Sequence, residues 1–167
     1  MTSPTTLRID IDRQSSGSDI PADSELCRWA RLAYRDEQQA EVALAIVDSD
    51  TMQTLNRDYR SKDKPTNVLA FANATRCEDG IVHLGDVVLC ADVIGAEANA
   101  QGKTTQAHWA HVTIHGMLHL QHYDHIEASE AREMEALETE LLATLGIADP
   151  YQAIPADQTA KTAGRAR

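Results

Sequence analysis

Three cysteines in 167 residues, Cys27, Cys77 and Cys90, do not make a disulfide framework. Their number is odd and no two form a CxxC pair, which points to a reducing compartment and to the cytoplasm as the expected location. No apolar run approaches the roughly 18–20 residues that span a bilayer, so a membrane role is not expected. The N-terminus, MTSPTTLRIDID, lacks a basic region followed by an apolar one and does not read as a signal peptide. Basic residues are also in deficit, with 15 Lys and Arg against 26 Asp and Glu and a net charge of −11. That balance speaks against broad nucleic-acid binding, which rests on cations neutralising phosphates, and DNA is not an expected partner.

What is present is the composition of an ordinary soluble domain, 43% hydrophobic and 25% charged. The chain reads as a single domain over residues 1–150, with a flexible tail rich in Ala, Gln, Thr and Pro over 151–167. The charge is uneven. EASEAREMEALETE (127–140) holds six Glu against one Arg, while RDYRSKDK (57–64) holds four basic and two acidic residues. A local basic lip is enough to hold a phosphate on an acidic protein.

Apolar periodicity gives an α+β class: one small mixed sheet of about four strands packed with four to five helices. LRIDI (7–11), EVALAIVDS (41–49), NVLAF (67–71) and GDVVLC (85–90) read as strands, with residues 75–83 as a turn or hairpin loop. The first helix, over 22–35, carries Leu26, Trp29, Ala30 and Ala33 behind the capping candidate Asp23. The next places Met52, Leu55 and Tyr59 on one face, and Pro65 marks the break after it. Beyond Ala91 the chain is helical. A long helix is expected over 106–121, and a last one with Met134, Leu137, Leu141 and Leu145 on one face ends at Gly146. Asp124 and Glu127 have capping-box spacing at its start, and Asp92 reads as a helix cap.

HGMLHLQHYDH (115–125) holds four of the seven histidines. Residues four apart on a helix share a face about 6 Å apart along the axis. His111, His115 and His119 follow that spacing, and His108 starts the stripe a turn earlier. An ion fits between two imidazoles at i and i+4, but His111 and His119, about 12 Å apart along the axis, cannot share one. The candidate pairs are His111/His115 and His115/His119. The turn QHYDH favours the second, since His122 and His125 can swing towards His119 and hardly towards His111. His115-x3-His119-x5-His125 then makes a three-histidine site open at its fourth position, as a catalytic zinc site requires. One i,i+4 pair is ordinarily mere decoration, but a whole stripe among Val112, Ile114, Met117, Leu118 and Leu120 is harder to explain that way. The stripe resembles the zinc-protease HExxH, yet Gly116 stands where the general base would be.

In LNRDYRSKDKPTNVLAF (55–71), Arg57, Arg60, Lys62 and Lys64 surround a helix end. Guanidinium groups grip phosphates through paired hydrogen bonds. The ordinary alternative is a solvated helix end whose cations suit the dipole.

Taken in order, LNRDYRSKDKPTNVLAF, GDVVLC, HWAHVTIHGMLHLQHYDH and EMEALE resemble the YbeY family of endoribonucleases over about residues 41–151. The resemblance implies an α+β metal-dependent hydrolase domain with one divalent ion, usually taken as zinc, on His115, His119 and His125. It implies a functional arginine at Arg60. It also implies a single-stranded RNA substrate, with a part in 16S ribosomal RNA 3′-end maturation and ribosome quality control. On this reading Arg60 and His115 are the catalytic candidates, Arg57, Arg60, Lys62 and Lys64 contact RNA, and the ribosomal small subunit or its proteins are partners. The rival readings are a non-catalytic ribosome-assembly factor with a stabilising zinc, or another zinc metallohydrolase. Two departures stand out: Gln121-His122 replaces the family's Leu-Gly, which puts the turn in question, and AFAN (70–73) replaces an SFPF-like segment. His122 is not expected to bind the metal.

Overall fold

The computed structural model describes residues 7–15, 19–76, 80–121 and 128–148. Its elements are β1 (Leu7–Arg13), α1 (Asp23–Ala33), β2 (Ala40–Val47), α2 (Ser49–Arg60), β3 (Val68–Arg76), β4 (Val82–Cys90), α3 (Ala91–Gln101), α4 (Thr105–Leu120) and α5 (Ala128–Thr144). The four strands form one mixed sheet in the order β1-β2-β4-β3. β1, β2 and β4 run parallel, and β3 closes one edge antiparallel to β4. This is the α+β class expected from the sequence.

Side-chain alternation along the strands sorts the helices onto two faces. Val42, Leu44 and Ile46 of β2 and Val87 and Leu89 of β4 face a core shared with α1, α4 and α5. Val47, Val88, Cys90 and Leu69 point the other way, where Met52 of α2 covers them. The end of β4 is therefore buried on both sides, which explains its unbroken apolar run VVLC.

α4 is the central helix, packed on α1, α3, α5, β3 and β4. Thr104 starts it, its side chain accepting from Ala107 N at 3.1 Å. Trp109, Ile114, Met117 and Leu118 are fully buried, each contributing about 1.5–3 kcal/mol by leaving water. Gly116 lets the helix come close to the sheet, since a Cβ there would lie 2.8 Å from Val87 Cγ1 and 3.0 Å from Val68 Cγ2. At its C-terminal end Gln121 is a clamp. Its amide donates to Ala33 O and Met117 O at 2.9 Å, and its Oε1 accepts from Arg35 N at 2.8 Å. The first departure from the family pattern thus ties α4 to the end of α1. The last helix ends as expected: Gly146 has φ 78°, and Ile147 N donates back to Leu142 O at 3.0 Å.

Four local expectations are corrected. The hairpin loop is shorter than residues 75–83, because β3 and β4 pair out to Arg76 and Val82 past a register shift between Ala72 and Thr75. Asp23 does not cap α1; Ala22 holds that position, and Asp23 Oδ1 accepts instead from Arg13 Nε at 2.8 Å. Asp92 does not cap its own helix either, for Cys90 is the N-cap of α3 and the Asp92 carboxylate accepts from Ser49 N and Oγ at the start of α2. Tyr59 leaves the apolar face predicted for it and is 67% exposed. Two turns beyond Met52, it overhangs the sheet where the buried floor gives way to the half-buried Phe71. The expected capping box Asp124/Glu127 and the tail over 151–167 lie outside the described residues.

Candidate functional site

The imidazoles of α4 form a ladder with ring centroids 6.1 Å apart from His108 to His111, 6.2 Å from His111 to His115 and 4.6 Å from His115 to His119. Side-chain exposure rises along it, from 4% at His108 through 15% at His111 to 24% at His115. The accessible end is therefore at His115 and His119, the end a substrate can reach.

The buried end is anchored by carboxylates from other helices. Glu97 of α3 accepts from His108 Nε2 at 2.9 Å and from Asn67 Nδ2 at 3.0 Å. Burial raises the Glu97 carboxyl, but these hydrogen bonds outweigh it and hold the group below its usual range. Glu138 of α5 is fully buried. Its Oε1 accepts from His111 Nε2 at 2.8 Å and its Oε2 from His115 Nδ1 at 2.7 Å. Here too burial alone would raise the carboxyl, yet the two imidazole N–H groups and their charge coupling drive it well below the usual carboxylate range. Burial lowers His111 from its ordinary value.

An ionised Glu138 fixes a tautomer. With the proton of His115 on Nδ1 facing the carboxylate, its Nε2 presents a lone pair. That nitrogen lies 3.1 Å from His119 Nε2, so the two rings converge on one point from i and i+4 positions. A carboxylate behind an imidazole whose other nitrogen faces a second imidazole is the arrangement that orients a metal-bound histidine. The donor set suits a borderline cation such as zinc. His111, His115 and Glu138 also offer ligand atoms within 4.8 Å of one another and could themselves hold a metal ion. Such an ion would have to displace hydrogen bonds that already use both Glu138 oxygens, and one between His115 and His119 would displace the contact between their Nε2 atoms. His125, the expected third ligand, lies outside the described residues, as does His122.

The basic loop is held separately. α2 ends at Arg60, and Ser61 takes a left-handed φ of 59° with its N–H bonded to Arg57 O. The buried Asn56 donates to Lys64 O at 2.8 Å and pins the return. Arg57 lies 3.4 Å from Asp58 and 4.0 Å from Asp63. Arg60, Lys62 and Lys64 are exposed and make no ion pair among the described residues. The helix carrying this loop covers the opposite face of the sheet from α4, and both faces share the edge strand β3. No hydrogen bond joins the four cations to the histidines among the described residues. The chain Asn67–Glu97–His108 links the end of the loop to the buried end of the ladder.

Glu138 and Glu97 were not singled out by sequence reasoning. For Glu138 a signal existed: it falls four residues after Met134 and three before Leu141, on the apolar stripe of α5, where a carboxylate needs a partner.

The family model described as Endoribonuclease YbeY matches residues 13–146. Among solved structures, the chain is similar to the solution structure of TM1509 from Thermotoga maritima, at 22% identity and a TM-score of 0.49, over 87% of this chain and 99% of that one.

Proposed function

The chain belongs to the YbeY endoribonuclease family, enzymes that hydrolyse RNA, and we propose that it is a metal-dependent endoribonuclease specific for single-stranded RNA. The observation that carries the metal dependence is the pair of facing Nε2 atoms, 3.1 Å apart, with His115 fixed from behind by Glu138. His115, His119 and His125 would hold one divalent ion, zinc by the chemistry of the donors. When bound, such an ion supplies Lewis-acid polarisation of a phosphoryl oxygen. Glu138 keeps the Nε2 lone pair of His115 aimed outward, and His111 shares that carboxylate as a second anchor. Arg60 neutralises charge developing on the phosphate by paired N–H bonds, and Arg57, Lys62 and Lys64 hold the flanking backbone.

The domain over residues 1–150 is the catalytic unit in this proposal. Its substrate is the 3′ end of a 16S ribosomal RNA precursor in the cytoplasm, met on the ribosomal small subunit. The family match supports a role in ribosomal RNA processing. The net charge of −11 favours recognition through a local basic lip over general nucleic-acid binding. A peptidase reading fares worse, since a Cβ at position 116 would lie 2.8 Å from Val87 Cγ1 and a base there would require α4 to shift away from the sheet. Incubating the purified protein with single-stranded RNA, with and without a chelator, tests the proposal. Chelator-sensitive cleavage is expected, and cleavage indifferent to the chelator rejects the metal dependence.

A further inference from the structure

Tyr59 is the exposed large hydrophobic residue of the described chain, with 67% of its surface in solvent. It is nonetheless fixed. Its ring meets Phe71 of β3 edge to face, with centroids 5.1 Å apart and planes at 68°. In such a pair each ring keeps at least one face clear of the other, and the contact sets the plane of the exposed ring. Phe71 is itself held on the sheet, packed against the cluster of Met52, Leu69 and Val88. Around Tyr59 stand Arg57 and Arg60 in the same helix turn, then Lys62 and Lys64 in the loop, all exposed.

An oriented aromatic face beside several solvated cations is the combination that binds an unpaired nucleobase and its backbone. Every base has a π-face that stacks on the ring, and the phosphates on either side lie against the cations. A duplex keeps its bases stacked on one another and has none to offer. We propose that Tyr59, seated on Phe71, is the stacking platform for one unpaired base of the RNA strand, next to the phosphate held by Arg60. The inference rests on the RNA reading given above and adds the origin of its single-strand preference.

The test uses the full chain with its metal and a short, unstructured, fluorescently labelled oligoribonucleotide, followed by anisotropy. Tyr59→Ala is expected to weaken binding about 5- to 150-fold, the range for loss of one stacked base. Tyr59→Phe, which keeps the ring, should bind as the parent does. A matched strand with abasic positions should bind the parent and Tyr59→Ala alike. Equal binding of the base-bearing strand by the parent and Tyr59→Ala overturns the inference, and so does an equal loss on the abasic strand. If the parent itself fails to bind the single strand, the RNA reading falls and takes this inference with it. Binding that is weakened by Arg60→Ala but untouched by Tyr59→Ala overturns the platform alone.

Discussion

Glu138 Oε2 sits 2.7 Å from His115 Nδ1, although 23 residues separate them in the chain. The contact carries α5 onto α4 and decides which nitrogen of His115 faces outward. Zinc affinity of Glu138→Gln, measured by competition with a chromophoric chelator, should be about 10- to 100-fold weaker than that of the parent, as when a carboxylate behind a ligand histidine is lost. An unchanged affinity would show that Glu138 is a structural buried acid and nothing more.

The same triad gives the metal-free protein a defined response to acid. His111 is lowered from 6.5 by burial, so the unfolded chain takes up its proton first and stability declines once the pH falls below about 6.5. Glu138 is held below its ordinary 4.5, so its contribution is complete above that value and is lost as the pH drops beneath it. Urea midpoints across pH should hold level above about 6.5 and then fall in two stages. A midpoint that rises on acidification through this range contradicts the assignment.

Gly116→Ala should lower stability by about 1–3 kcal/mol, because the added methyl meets two β-branched side chains at 2.8 and 3.0 Å with no flexible end to give way. Chemical denaturation reads the change. Neutral behaviour would mean that α4 stands further from the sheet than described.

Arg60→Ala should leave the fold intact, since the side chain is exposed, and reduce RNA cleavage about 100-fold, as when a charge-stabilising donor is lost. Circular dichroism and a single-turnover assay separate the two effects. Cleavage that survives both this change and loss of His115 removes the catalytic assignment.

How much of this was legible in the sequence depended on the range of the contact. The i,i+4 geometry of His115 and His119 is local, so helical spacing made the pair a candidate beside His111/His115, and the turn that follows favoured it. The strand over 41–49 was likewise legible from its own run of apolar and β-branched residues. Glu138 stood among six acids; its place on the stripe between Met134 and Leu141 marked it as buried, but nothing local named His111 and His115 as its partners on another helix. Tyr59 misled for a related reason. Its spacing from Met52 is right for the apolar face, but periodicity does not reveal where the sheet beneath that face ends. Asp23 and Asp92 were likewise matched to their nearest helix, whereas their bonds run to Arg13 and Ser49.

The central claim is that a metal seated at His115 and His119 is needed for RNA cleavage. It is tested most directly by stripping the purified protein with a chelator and titrating zinc back while following cleavage of single-stranded RNA. Activity should be absent at the start, rise to a plateau near about one equivalent per chain, and stay absent throughout in His119→Ala. Full activity in the stripped protein, or an undiminished titration in His119→Ala, would contradict the account.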